Sequence, residues 1–90
     1  MQKELIDSIS HIKNSKYRYD VLKVLSENKL MTPKDISEKV NLRLNHVSMT
    51  LSELKEYDLV ECINEESKRG RLYKIKLLGE KTLNWLSENT

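Results

Sequence analysis

The stretch from 32 to 77 constrains this chain most. Two short amphipathic patterns are separated by a two-residue turn, and two short apolar-rich runs then flank a basic turn. Thr32-Pro33 is a helix start signal, with Thr at the cap, Pro at the first helical position and Asp35 in the first turn. The pattern predicts a helix over 33–40 with Ile36 and Val40 inward. Asn41-Leu42 forms the turn, and a second helix runs from about 44 to 57. With Val47 as the buried reference and about 100° per residue, Leu44, Leu51 and Leu54 fall on its face. Asn45, Met49, Ser52 and Glu56 point the opposite way, and His46, Ser48 and Glu53 flank them. Strands are expected over 59–63 and 72–77, the second alternating Tyr73, Ile75 and Leu77 against Leu72, Lys74 and Lys76. Between them lies a polar turn, 64–71, whose only glycine is Gly70.

The flanks add three helices. Leu5, Ile6, Ile9 and Ile12 recur at helical spacing over 3–13. Asn14 and Ser15 interrupt that pattern, and Ser15 is placed to cap a helix over about 16–27 with Tyr17, Val21, Leu22 and Leu25 inward. The segment 30–32 is short enough for a small edge strand. A closing helix is expected over about 80–88, with Leu83, Leu86 and Trp85 as its apolar residues, and the tail Asn89-Thr90 is expected to fray. The fold class is therefore mainly α with a small β-hairpin, an α+β arrangement in one domain over 1–90.

Ninety residues bury only about 60–65% of their unfolded surface, enough for one modest core. No apolar run approaches the ~20 residues of a membrane span. Positions 1–15 carry Glu4 and Asp7 and lack a small-residue cleavage pattern, which argues against a signal peptide. The lone cysteine, Cys62, excludes an internal disulfide and points to a reducing cytoplasm. The net charge of +2 conceals an uneven distribution. Lys68, Arg69, Arg71, Lys74 and Lys76 lie within 68–76 with no acid among them, and the remainder of the chain is slightly acidic. That is a local electrostatic footprint rather than a diffuse one.

The order of elements resembles the winged helix-turn-helix domains of prokaryotic transcription regulators, especially small archaeal and bacterial MarR-like and ArsR-like types. The resemblance covers about 17–86. Pro33-x-x-Ile36 followed by Val40 matches the first helix of the motif. His46-Val47-Ser48-x-x-Leu51-x-x-Leu54 matches the recognition helix. Tyr57-Asp58-Leu59-Val60 matches the phrase that ends it and opens the wing, and Lys68-Arg69-Gly70-Arg71-x-Tyr73 matches the wing tip and return strand. The helix-turn-helix would span about 33–57 and the wing about 59–77, with flanking helices at 3–13 and 80–88. Arg43 departs from the family pattern, which commonly has Ser or Thr as the recognition-helix cap.

The resemblance implies a homodimeric regulator that binds double-stranded DNA. The recognition helix would enter the major groove, and the wing would meet the backbone or minor groove. Asn45, His46, Ser48, Met49 and Ser52 are the groove-facing candidates, with Asn45 and His46 expected to be exposed. Asn suits adenine, Ser is a versatile partner and Met meets thymine methyl groups. The same residues also suit an ordinary solvated helix face. Lys68, Arg69 and Arg71 are the wing candidates, against the reading of a plain solvated turn. Lys34 lies at a helix start that favours phosphate, and Arg43 is placed to reach one. Lys74 and Lys76 either extend the strip or protect a strand edge. Dimerisation would use the first and last helices, whose apolar faces exceed what one small core needs. A winged helix used for protein or RNA binding is the alternative.

Enzymatic chemistry has no visible basis. No nucleophile–base pairing or Gly-rich phosphate loop is present, and no cofactor is expected. Cys62 reads as a small apolar strand residue, and its neighbours Glu61, Glu65 and Glu66 disfavour a thiolate. His11 and His46 lie far apart in sequence, and one cysteine does not make a metal-sensing cluster.

Overall fold

The computed structural model describes residues 2–89. Its elements run α1 (Lys3–Lys13), α2 (Lys16–Glu27), α3 (Pro33–Val40), α4 (Leu44–Glu56), β1 (Val60–Cys62), β2 (Tyr73–Ile75) and α5 (Leu77–Glu88). The expected winged helix-turn-helix is present, with one additional helix at each end. The expected fraying of Thr90 lies outside the described residues. Asn89 is held at the end of α5, where both its backbone N–H and its side-chain amide donate to the Trp85 carbonyl.

Local sequence explains most boundaries. The Ser15 hydroxyl accepts the Arg18 N–H at 3.3 Å and caps α2. Thr32 and Asp35 form a reciprocal capping box at the start of α3, with Pro33 in the first turn. Asn41 ends α3 in the left-handed region at φ 56, a conformation that Asn tolerates better than most side chains.

α2 is the central helix, in contact with α1, α3, α4, α5 and β2. Its Val21, Leu22 and Leu25 are buried against Ile36, Val47, Leu51, Leu54, Leu59 and Val60. Tyr17 is not part of that core, contrary to the expectation. It lies in the first turn of α2 and is 48% exposed, because its ring turns to the α4 surface. Leu44 is likewise exposed. It opens α4 at the margin of the apolar face, where the first turn overhangs the core. Val40 is half-buried rather than buried, packing on the edge of the same cluster.

The hairpin is antiparallel, with Val60 opposite Ile75 and Cys62 opposite Tyr73. Each strand is shorter than expected. The edge segment appears as a single bridge, in which Met31 and Tyr73 exchange both backbone hydrogen bonds, at 3.1 and 2.9 Å.

The Lys76 N–H donates to the Leu59 carbonyl at 2.9 Å in the register of the hairpin, so pairing runs up to the α5 cap. α5 begins at Leu77 rather than at 80, and Leu77 is exposed instead of facing the sheet. Gly79 makes this early start possible. A Cβ there would stand 2.5 Å from the Leu59 carbonyl oxygen and 2.7 Å from Ile75 Cγ1.

α1 and α5 pack against each other. Ile9, Ile12, Leu83 and Leu86 are all buried within the single chain. The terminal helices thus use most of the apolar surface that the sequence reading had assigned to a partner subunit.

Candidate nucleic-acid interface

The turn between α3 and α4 is built by Ser37. Its hydroxyl donates to the Leu42 carbonyl at 2.5 Å, and its carbonyl accepts the Leu42 N–H at 3.2 Å. This closes the turn around left-handed Asn41 and sets α4 across α3. Arg43 stands at the cap of α4 without a side-chain capping bond, and is exposed. Asn45 supplies a local substitute, its Oδ1 accepting the His46 N–H at 2.9 Å.

Burial sorts α4 into faces. Val47, Thr50, Leu51 and Leu54 are buried. Asn45, Met49, Ser52 and Glu56 are exposed on the opposite side, as expected. Leu44, Ser48 and Ser52 look toward the wing, and Lys55 on the same side pairs with Glu65 of the wing turn. His46 and Glu53 look the other way, toward α2. The His46 ring meets Tyr17 edge-on with centroids 4.4 Å apart, so His46 is half-buried rather than fully exposed. Glu53 accepts from Arg18 at 3.2 Å, which draws that acid off the outward face.

The far end of α4 is tied to α1. His11 stacks on Tyr57 with centroids 3.7 Å apart and planes 7° from parallel. Arg18 links the same region by donating to the His11 carbonyl at 3.2 Å. Burial, then the positive charge of Arg18, lowers the His11 pKa below its ordinary 6.5, while Glu53 and Glu56 act in the opposite direction.

The wing is organised by Asn64. Its Oδ1 accepts the Leu72 N–H at 2.7 Å, and its Nδ2 donates to the Gly70 carbonyl at 3.2 Å. Gly70 has φ 64, a left-handed position that suits glycine. Arg71 also holds the loop, donating from Nε to the Ser67 carbonyl at 2.8 Å and from its terminal nitrogen to the Glu65 carbonyl at 3.3 Å. Lys68 and Arg69 are exposed at the tip.

Between the wing and the helix-turn-helix lies a cleft of about 570 Å³. It brings together six of the ten candidate residues: Lys34 from α3, Ser48 and Ser52 from α4, and Lys68, Arg69 and Arg71 from the wing. Leu44, Pro33 and Tyr73 give it apolar walls, and no acidic residue lines it. Arg43, Asn45, His46 and Met49 lie outside the cleft. Lys74 is exposed on β2, whereas Lys76 stands at the α5 cap and pairs with Asp58, so it does not extend the strip.

Sequence reasoning missed Asn64, Arg18, the Tyr17–His46 pair and Gly79. An Asn opening a polar turn is a recognisable turn-former, and a glycine inside an amphipathic pattern signals close approach. The partners of Arg18 and Tyr17 are long-range and leave no local pattern. Cys62 is half-buried, with Sγ 3.5 Å from Asn64 Oδ1. Among the described residues no group of three or more His, Cys, Asp or Glu side chains is placed to hold a metal ion, and no helix is long and apolar enough to cross a membrane.

The comparisons with known proteins agree with this geometry. No curated protein matches the chain in sequence. Among solved structures it is similar to TubR bound to 24 bp of tubC, from Bacillus thuringiensis serovar israelensis pBtoxis. The TM-score is 0.80 at 15% identity, over 100% of this chain and 99% of that one. It is also similar to NMB1585, a MarR family regulator from Neisseria meningitidis, with TM-score 0.73 at 26% identity, over 91% of this chain and 58% of that one. A MarR/EmrR family transcriptional regulator from Acinetobacter sp. ADP1 gives TM-score 0.73 at 20% identity, over 93% of this chain and 63% of that one. The chain thus spans less than two thirds of the length of these two MarR-type proteins. Residues 14–63, more than half of the chain, match the helix-turn-helix domain family. The chain belongs to that family, and its fold is the winged helix-turn-helix of MarR-like transcription regulators.

Proposed function

We propose that this protein is a sequence-specific double-stranded DNA-binding transcription regulator. The outer face of α4 enters the major groove and the basic wing lies on the backbone or minor groove. The observation that carries this reading is the acid-free cleft in which Lys34, Lys68, Arg69 and Arg71 converge beside the exposed side of α4. Phosphates neutralised by such residues release counterions, and the resulting affinity falls steeply with salt. The TubR structure, in which a chain of this fold and length is bound to duplex DNA, supports the same reading. A salt titration of binding to duplex DNA tests it. A log–log slope of about −3 or steeper is the expected outcome. A flat slope would reject DNA binding and leave the protein-docking use of the fold.

The acting species is proposed to be a homodimer paired through α1 and α5. Ile9, Ile12, Leu83 and Leu86 serve the chain's own core, so the pairing surface reduces to what remains outside. Ile6 is 50% exposed, and Leu5 and Trp85 are half-buried beside the core. A two-fold dimer presents two α4 helices to a palindromic site. Sedimentation at micromolar concentration tests the pairing.

A further inference from the structure

The outward face of α4 has an unusual inventory for a helix that reads DNA. The commonest specific contact to guanine is a bidentate Arg or Lys on its O6 and N7. Within Leu44–Glu56 the only Lys or Arg is Lys55, and the wing carboxylate of Glu65 holds it; the exposed Arg43 stands before the helix, at its cap, where it is placed to reach a phosphate. His46 is turned against Tyr17. What remains on that face in the first two turns is Asn45 and, one turn on, Met49 at 62% exposure, with Leu44 and Ser48 turned to the wing cleft. A solvated helix face has no use for a large apolar side chain this exposed. Thymine, with its C5-methyl in the major groove, is the base that does. Asn45 keeps its Nδ2 unused, and its Oδ1 retains a second lone pair beside the His46 N–H bond, so it can pair with both N7 and N6 of adenine.

Reach agrees with this. From Asn45 to Met49 the helix rises about 6 Å. That covers nearly two base-pair steps of about 3.4 Å each. Glu56 lies about 16 Å beyond Asn45 along the axis, so an N-terminal approach leaves that carboxylate outside the groove.

We propose that the half-site read by α4 is an A·T-rich stretch, recognised in the major groove by Asn45 on adenine and by Met49 on a thymine methyl group. This rests on the DNA-binding reading above and adds the class of sequence to it. Discrimination comes from methyl burial and one amide pair, with guanine contacts absent.

The test begins with selection of the best-bound duplex from a random pool by the 90-residue chain. Each thymine of the selected half-site is then replaced by deoxyuracil, which removes only the methyl group and leaves the minor groove unaltered. The expected result is an A·T-rich core in which each contacted thymine costs about fourfold in affinity when its methyl is removed. Met49→Ala should bind the thymine and uracil forms of one position equally. Met49 is exposed, so the fold and the salt slope should be retained. Two results would overturn the proposal: affinity indifferent to uracil, or a core containing guanines whose 7-deaza replacement weakens binding. Salt-dependent binding that persists with either result rejects this inference alone, whereas no salt-dependent binding to any duplex rejects the DNA-binding reading and this inference with it.

Discussion

Asn64 holds Leu72 across the base of the wing, its Oδ1 accepting the Leu72 N–H at 2.7 Å. The same side chain reaches the Gly70 carbonyl through Nδ2. Beyond Cys62 the ladder keeps one more backbone bond, from the Ile63 N–H to the Leu72 carbonyl at 2.9 Å, and Asn64 supplies the return bond. The basic tip is held in place by this amide and by Arg71 rather than by a long hairpin.

Asn64→Ala should therefore weaken binding to every duplex sequence while leaving the helical core folded. The loss of two partly exposed hydrogen bonds costs about 1–2 kcal/mol locally. The expected signature is faster amide exchange at Leu72 with little change in helical circular dichroism. Equal exchange in both proteins would show that the wing does not depend on this residue.

The three wing bases should not behave alike. Lys68 and Arg69 are exposed at the tip, and their joint replacement by Ala should reduce the log–log salt slope by about 2. Arg71 is committed to the Ser67 and Glu65 carbonyls. Arg71→Ala should resemble Asn64→Ala, with loosened wing amides. Arg71→Lys should restore the charge without restoring the loop, because one ammonium does not reproduce the planar fork.

Gly79→Ala sets two effects against each other. Alanine is the better helix former by about 1 kcal/mol. Its Cβ, however, would lie 2.5 Å from the Leu59 carbonyl oxygen, a backbone atom that cannot step aside cheaply. Overpacking of this kind costs about 1–3 kcal/mol, and the net effect should be destabilising. A higher midpoint in urea for the variant would mean that α5 can shift away from β1.

Much of the fold was legible because its signals are local. The capping box at Thr32, the Ser15 cap and the 3.6-residue spacing of Val47, Leu51 and Leu54 each act within one turn of chain. The α5 start was misplaced because the alternation of Tyr73, Ile75 and Leu77 continues a strand pattern past Lys76, which is both the last residue bonded to Leu59 and the cap of α5. Tyr17 and Leu44 were read inward from their angles alone. At a helix's first turn the angle does not decide burial, since the core beneath has already ended. For the site, residue type and position predicted the converging bases. The restraint of Lys76 and Glu53 by distant partners was beyond any periodicity, and that of Arg71 is a fold of the wing turn back on its own carbonyls.

His11 makes stability depend on pH with a definite sign. Its folded pKa lies below 6.5, lowered first by burial and then by Arg18. The unfolded chain therefore binds the proton more readily than the folded one. Above 6.5 both states hold a neutral imidazole and the contribution to stability is complete. As pH falls from 6.5 toward the lower folded value, the unfolded state protonates first and stability declines. The imidazole lies flat on Tyr57, at the cap of α4, and its own carbonyl is held by Arg18. Charging it puts a cation beside that guanidinium. His11→Phe keeps an aromatic face for Tyr57 and removes the titration. Urea midpoints measured from pH 7.5 to 5.5 should fall more steeply for the natural protein than for His11→Phe. Parallel profiles would show that the loss at low pH comes from the carboxylates alone.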